Sequence, residues 1–398
     1  MSGTATQPAL QWEMPDFSLV LGGPLFQILR RAHLSGSGLQ LLHRRIIVIT
    51  LIAWLPLLVL STQRGSSEGV VLPFLTDIET HVRFLVALPA LIAAELIVHL
   101  RLRPAVQEFV RRDLIATEEI PKFQVAINSL IRWRNSIPIE VGLLLLAAVF
   151  GPLVWWRNAD LSLPSWFAMP RGGHMNLTAA GNWMAHISIP IFQFMLLRWY
   201  FRLFIWTRFL WQVSRLNLRV IAMHPDGAGG LSFLGKSTYA FGPILFAQGS
   251  LLAGRIASHV LYEGRSLWSF EVEAIGLVAF FLLFIFGPLT MFTPQLTRAK
   301  RIGILEYGRL ANRYVAEFEK KWIKEAANHQ NELLGSGDIQ SLADMGNSYN
   351  VVREMYPVPF GVRDLARLAA ATAAPLIPLG LTVFSLNELV IRLLKLLF

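Results

Sequence analysis

The stretch that decides the fold is residues 272–292, VEAIGLVAFFLLFIFGPLTMF, in which Glu273 is the only charged side chain. A helix of about 20 apolar residues crosses the hydrocarbon core of a bilayer. Lipid offers no hydrogen-bond partner to open backbone, so such a segment must be helical. The six predicted spans are residues 46–61, 84–100, 139–156, 183–206, 239–261 and 272–292. The sequence therefore predicts an all-α, polytopic transmembrane helix bundle.

The composition agrees with a membrane protein. Of the 398 residues, 54% are hydrophobic and 16% are charged, whereas soluble domains carry about 25% charged residues. The absence of cysteine excludes disulfides and thiolate metal sites. No cleavable signal pattern precedes the first span, so we expect that span to direct insertion. The net charge of +10 is interpreted as a topology signal, and we expect no nucleic-acid partner.

The basic residues lie at alternating ends of the spans. Arg101 and Arg103 follow the second span, and a larger basic group follows the sixth. The intervening loops contain only Arg64, Arg83, Arg157, Arg171 and Arg265. Because an excess of Lys and Arg marks the cytoplasmic side, all six spans predict a cytoplasmic N-terminus.

The chain divides into four predicted segments. They are a cytoplasmic N-terminal segment (1–45) with an interfacial helix over 19–34, a transmembrane bundle (46–292) with cytoplasmic helix extensions (101–138 and 202–237), a cytoplasmic helical segment (293–365) and a C-terminal segment (366–398). Pro375, Pro378 and Gly380 interrupt the last segment. We expect a kinked seventh span with an interfacial tail there, and a re-entrant hairpin is the alternative.

Ionisable residues inside the spans are the first group of candidate site residues. Charged groups are costly in a bilayer and commonly mark substrate or ion pathways. The candidates for an ion or solute path are Glu95, His99, Glu140, His186, Arg198, Arg255, His259 and Glu273. A structural interpretation pairs Glu95 or Glu140 with Arg198, and Glu271 or Glu273 with Arg255. In a functional interpretation, the two groups of ionisable residues form an inner and an outer binding position along one path.

Cofactor and catalytic patterns are sparse. A haem held between His186 and His259 is a minor alternative, because both histidines lie at a similar predicted depth. We expect no other cofactor, no metal site and no catalytic set, because no nucleophile–base group or carboxylate pair falls on one side of the membrane at matching depth.

The most polar and glycine-rich turn is residues 224–231, HPDGAGGL. It is interpreted either as a tight turn capped by Asp226 or as an anion-binding nest aided by flanking cations. The candidates for this loop are Arg219, His224, Asp226, Gly227, Gly229, Gly230 and Lys236. Residues 230–237 also match the phosphate-loop pattern G-x-x-x-x-G-K-[ST]. The apolar loop interior and the missing strand argue against nucleotide hydrolysis.

Two stretches together carry a resemblance: HPDGAGGL at 224–231 and SLADMGNSYNVVR at 341–353. They resemble an uncharacterised group of bacterial polytopic inner-membrane proteins, over roughly the second half of the chain. The resemblance implies a location in the bacterial inner membrane and brings no known activity.

The leading functional hypothesis is a channel or a transporter-like homo-oligomer for a small ion or solute. One alternative is a membrane scaffold or signalling subunit that binds a cytoplasmic protein partner through its helices. Another is a phosphate- or nucleotide-sensing membrane protein that uses the glycine-rich loop. A continuous polar pore would favour the first hypothesis, and a sealed bundle with an exposed apolar cytoplasmic surface would favour the second.

Overall fold

A computed structural model describes residues 17–33, 41–62, 73–158, 165–171, 174–324 and 337–382. The helices are α1 Pro24–Arg31, α2 Leu42–Thr62, α3 Ile78–His81, α4 Leu88–Arg111, α5 Ile120–Arg134, α6 Ile137–Asn158, α7 Ala179–Trp183, α8 Ile189–Ser214, α9 Ser232–Ser237, α10 Gly242–Tyr262, α11 Glu271–Phe286, α12 Thr293–Glu319, α13 Gly337–Glu354 and α14 Val362–Ala373. Strands β1 Ala168–Arg171 and β2 His174–Leu177 form an antiparallel pair.

Shorter helical segments join several of these elements. The 3-10 segments are Phe74–Thr76, Thr117–Glu119, Thr238–Phe241, Leu267–Phe270, Gly287–Phe292 and Ala374–Thr382. The π-helical segments are Val82–Ala87, Met184–Ser188 and Lys320–Lys324. They make several neighbouring helices continuous through a local change of helix type.

Four helical stretches in the described ranges are long and apolar enough to cross a membrane: Leu42–Thr62, Ile78–Arg111, Ser232–Tyr262 and Leu267–Lys324. The pair Thr117–Arg134 and Ile137–Leu153, bent by 43°, adds a fifth if it is counted as one span. The predicted all-α fold with several membrane-length helices is confirmed. The count of six spans plus a seventh stays a prediction.

The stretch predicted as the fourth span is helical but less apolar than the others. The segment Met184–Ser188 and α8 cover most of it. Arg198 and Arg202 are buried on α8, which packs against α4, α5 and α6. Burial of two guanidinium groups shows that this face of α8 meets protein and not lipid.

The N-terminal helix is shorter than predicted. The sequence predicts a helix over 19–34, but α1 begins at Pro24. Gly22 and Gly23 have φ of 139° and 88°, outside the helical region. Residues 17–20 are buried in the bundle and do not lie on its surface. The apolar residues of 19–34 therefore divide into a buried segment and a short helix; residues 1–16 and 34–40 lie outside the described ranges.

The predicted extension of the fourth span also ends early. The sequence predicts helix to Met223, whereas α8 ends at Ser214. Gln295 Nε2 donates to the carbonyl oxygens of Ser214 (2.7 Å) and Leu216 (2.8 Å). The last carbonyls of a helix need such partners, so a side chain from α12 satisfies the end of α8. Leu218 then forms a β-bridge with Ile115.

A helical hairpin follows the sixth predicted span. α11 continues through Gly287–Phe292 into α12, and α13 packs back along α12. The two helices approach closely at Gly303, where an added Cβ would lie 2.9 Å from Val352. Tyr314 donates its hydroxyl to the carbonyl of Asp338 (3.1 Å) at the far end of the pair. Both helices lie within the range 293–365, whose cytoplasmic location stays a prediction.

The C-terminal segment packs against both α10 and α11. A Cβ on Gly249 would lie 1.9 Å from the carbonyl oxygen of Thr372, so the absence of a side chain permits this contact. The helix type changes after Ala373, before Pro375 and Pro378. The remainder of the predicted seventh span, residues 383–398, lies outside the described residues.

Candidate functional site

Five charged side chains meet in the bundle interior and form what we call the Arg–Glu cluster: Arg45, Glu95, Glu140, Arg198 and Arg202. Glu95 Oε1 accepts hydrogen bonds from Arg198 Nη1 (3.0 Å) and Arg202 Nη1 (2.8 Å). Glu95 Oε2 forms an ion pair with Arg45. Arg198 Nε lies 3.2 Å from Glu140 Oε1. Arg198 therefore contacts both of the glutamates that the sequence analysis proposes as its partners.

Four helices position the cluster. Arg45 lies in the first turn of α2, Glu95 lies within α4, and Glu140 lies in the first turn of α6. Arg198 and Arg202 are four residues apart and so share one face of α8. Trp199 Nε1 donates to the carbonyl of Leu91 (2.8 Å) and holds α8 against α4. The Arg202 guanidinium also lies over the Trp199 ring, 4.7 Å from its centroid.

The cluster is buried and carries excess positive charge. The side chains of Arg45 and Glu95 are each 2% exposed. Three arginines and two glutamates leave one positive charge uncompensated. Transfer of charges from water into the protein interior costs free energy. The attraction between the charges offsets this cost only where the geometry is good and further hydrogen bonds form. Arg45 Nε has no hydrogen-bond partner among the described residues, so the cluster keeps unused donor capacity.

A small crevice with charged and apolar lining residues borders the cluster. Its charged lining consists of Arg134, Glu140, Arg198 and Arg202, and Gly22 closes one side. Its volume is about 20 Å³, which is room for about one water molecule. Three cations and one anion thus face a space that is nearly closed in this conformation.

His99 contacts the N-terminal segment. Its Nδ1 lies 3.0 Å from Ser18 Oγ. Arg134 Nη1 donates to the Ser18 carbonyl oxygen, and the Leu25 N–H donates to Glu140 Oε2 (3.2 Å). The N-terminal segment therefore contacts α4, α5 and α6 beside the crevice.

The predicted outer ion pair is wrong. Arg255 is exposed on α10, as are Glu271 and Glu273 on α11, and neither glutamate pairs with Arg255 in the described structure. The reason is packing: α14 contacts both helices, and α10 and α11 contact each other only weakly.

The two outer histidines are engaged locally. His186 Nδ1 lies 3.0 Å from the carbonyl oxygen of Asn182, one turn earlier. His259 Nδ1 lies 2.7 Å from Glu263 Oε1, and its ring stacks on Phe270. No group of three or more His, Asp or Glu side chains that could hold a metal occurs in the described ranges. Haem binding between the two histidines stays a minor prediction.

The glycine-rich loop has its own internal anion. Asp226 Oδ1 accepts the N–H groups of Ala228 (2.9 Å) and Gly230 (3.0 Å), and Oδ2 accepts that of Ser232 (3.1 Å). Burial raises the pKa of Asp226, but these backbone hydrogen bonds lower it more, and the net pKa lies below its usual value. Gly227, Gly229 and Gly230 have positive φ, as the turn requires. The carboxylate thus occupies the N–H groups that an external anion would need.

The surroundings of the loop also favour the turn interpretation. Arg112 Nη1 donates to the carbonyl of Gly230 (3.0 Å) and lies 3.4 Å from Asp226 Oδ2. The side chains proposed as anion ligands, Arg219 and Lys236, are exposed. Gly235, the second glycine of the phosphate-loop pattern, lies in helix α9 against the carbonyl of Pro359. This geometry is that of a capped turn that docks onto neighbouring helices.

Sequence reasoning missed several members of the site. Arg45, Arg134 and Ser18 are not among the candidates that the sequence analysis proposes. Their basic or polar character is visible in the sequence, but only the folded chain places them beside Glu95 and Glu140.

Comparisons with known proteins add no family to this geometry. No protein-family model, no curated protein and no solved structure matches the chain.

Proposed function

We propose that the protein passes a small anion, or a solute that carries an anionic group, across a bacterial inner membrane. It works as a homo-oligomer with a cytoplasmic N-terminus. The observation that carries this proposal is the Arg–Glu cluster beside a small crevice with four charged side chains in its lining. Ionisable residues that face the interior of a membrane bundle commonly mark pathways, and arginine and lysine side chains select anions in pores.

The sign of the charge favours an anion. The crevice is lined by three arginines and one glutamate. In a cleft with low-dielectric walls, such an excess raises the local concentration of ions of opposite sign. A cation would meet repulsion at the same point.

The crevice volume describes a closed state. Space for about one water cannot hold a hydrated ion with its shell. Passage therefore needs a rearrangement at this point, which agrees with a gated pathway.

The basic residues at alternate span ends support the orientation. The resemblance of residues 224–231 and 341–353 to bacterial inner-membrane proteins supports the location. Together they support a position of the cluster toward the cytoplasmic side of the membrane.

Flux in liposomes tests the proposal. Purified protein is reconstituted, and chloride, nitrate and potassium permeabilities are compared by reversal potential. We expect anions to pass faster than potassium. Glu140→Gln should raise the anion-to-cation ratio, because it removes the only negative side chain of the crevice. Arg198→Gln should lower it.

Glu118→Gln provides the control, because it is the same chemical change at an exposed position of Thr117–Glu119. It should leave the ratio unchanged. Folded, monodisperse protein that passes none of these ions above the level of protein-free liposomes would refute the proposal.

A second candidate, a scaffold that binds a cytoplasmic protein, rests on the α12–α13 hairpin. Its exposed large apolar side chains include Ile302, Leu305, Leu310, Val315, Ile339 and Val351. A photo-crosslinking residue at position 305 should capture one distinct protein in cells, and the same residue at the neighbouring exposed Glu306 should capture it less. Equal or absent capture at both positions would remove this candidate.

A further inference from the structure

We propose that residues 17–23 form a removable plug that closes the crevice beside the Arg–Glu cluster. We call this segment the N-terminal plug. The inference rests on the proposed function, because the plug regulates passage only if something passes. The observation behind it is a non-helical segment that is buried against charged groups of three helices.

The seat of the N-terminal plug is built from several helices. Phe17 is 1% exposed, and its ring packs against Trp206 and Phe209 of α8, with centroids 6.3 Å and 6.1 Å away. Leu19 and Val20 are also buried. The apolar half of the plug thus fills a site that bundle helices provide.

The polar half of the plug meets charged or titratable side chains. Ser18 contacts His99 through its hydroxyl and Arg134 through its carbonyl oxygen. Gly23 lies close to Glu140, since an added Cβ would be 3.1 Å from Oε2. If the plug leaves, water can replace it as the hydrogen-bond partner of these side chains, so that none of them is left unsatisfied. An ordinary core segment, which covers only apolar partners, lacks this property.

The connection to α1 allows the plug to move alone. Gly22 and Gly23 join it to α1 with positive φ values, and Gly22 itself lines the crevice. A change at these two backbone positions would move Gly22 out of the crevice lining and carry residues 17–21 out of their seat without moving a spanning helix. Hinges of this kind absorb a change of dihedral angle at a few residues.

Accessibility of the crevice tests the plug directly. The chain contains no cysteine, so Ser136→Cys places a single thiol in the crevice lining. We compare its rate of modification by a small charged thiosulfonate in detergent. The double change Gly22→Ala with Gly23→Ala should raise the rate on the order of 10-fold or more, because L-residues at positive φ disfavour the seated state.

Gly264→Ala is the matched control. Gly264 also has positive φ, but its added Cβ meets no atom within 4 Å, so the substitution places an alanine at positive φ far from the plug and without a clash. It should leave the modification rate unchanged. Chloride flux in liposomes is measured on the same variants and should rise only in the plug variant.

The outcomes separate the two proposals. Unchanged modification and unchanged flux in the folded plug variant overturn the plug and leave the proposed function standing if flux is present. Faster modification without flux in any variant supports a removable cover and overturns the proposed function.

If the plug variant does not fold, a cross-link that holds the plug in place provides an independent test. Ser18→Cys with His99→Cys puts two thiols on side chains that face each other, because Ser18 Oγ and His99 Nδ1 are 3.0 Å apart. A short thiol cross-linker should abolish flux, and a cleavable version should restore it on reduction. Equal flux before and after cross-linking would overturn the plug.

Discussion

Glu95 is the residue whose loss should cost the most stability. Its side chain is 2% exposed and meets three guanidinium groups, those of Arg45, Arg198 and Arg202. In Glu95→Gln the amide oxygen can still accept the two hydrogen bonds made to Oε1. The amide NH₂ replaces Oε2, and its hydrogens face the Arg45 donor. The substitution keeps the volume and removes the charge.

The magnitude follows from this geometry. After the change, three buried cations would be left with Glu140 as the only remaining anion of the cluster. Removing one partner of a buried ion pair costs about 3–5 kcal/mol, because the remaining charge stays buried without compensation. We therefore expect Glu95→Gln to lower the free energy of unfolding by about 3–5 kcal/mol.

Equilibrium unfolding in mixed detergent micelles measures the change, with wild type and Glu118→Gln in parallel. Exposed Glu118 should give a change within about 0.5 kcal/mol. Adding Arg202→Gln to Glu95→Gln should recover part of the loss, because it removes one uncompensated charge. A loss for Glu95→Gln no larger than that for Glu118→Gln would refute the reasoning.

Three further predictions follow from packing, titration and topology. Gly249→Ala should lower the free energy of unfolding by about 1–3 kcal/mol or more through overpacking, because its Cβ would lie 1.9 Å from the carbonyl oxygen of Thr372. Gly276→Ala in α11 is the control and should not lower the free energy of unfolding in this way, because its Cβ would meet no atom within 4 Å. Asp226→Asn should lower the melting temperature at pH 7. The folded pKa of Asp226 lies below its usual value, so its stabilisation is present above the pKa of the unfolded state and is lost as the pH falls through the folded pKa. The difference in melting temperature between wild type and Asp226→Asn should therefore become smaller in acid. A difference that does not change with pH would contradict this prediction. In intact cells, an impermeant thiol reagent should label Ser266→Cys and spare Arg219→Cys, and the reverse pattern would invert the topology.

The spans and their interruptions were open to prediction because they depend on local sequence. Residues 272–292 are too apolar for anything but a buried or lipid-facing helix, and the proline and glycine of 375–380 end regular helix wherever the chain goes. The pairing of Arg198 with Glu95 or Glu140 was also within reach, because buried charges need partners at matching depth.

The arrangement around those charges was decided by tertiary structure. Hydrophobicity could not show whether residues 17–23 form a surface helix or a buried segment, because both are apolar. The pair Gly22 and Gly23 was the available sign in the sequence that regular helix begins only after these residues. Arg255 could not be paired correctly, because the sequence does not show that α14 packs against both α10 and α11.

The sequence by itself thus determined that the long apolar segments are helical and that Arg198 needs a carboxylate partner, since both follow from the free energy of transfer of single side chains. Only the tertiary structure decided that Arg45, Glu95, Glu140, Arg198 and Arg202 share one cluster and that Asp226 fills its own loop. Those contacts join residues distant in the chain, and their geometry is set by how whole helices pack.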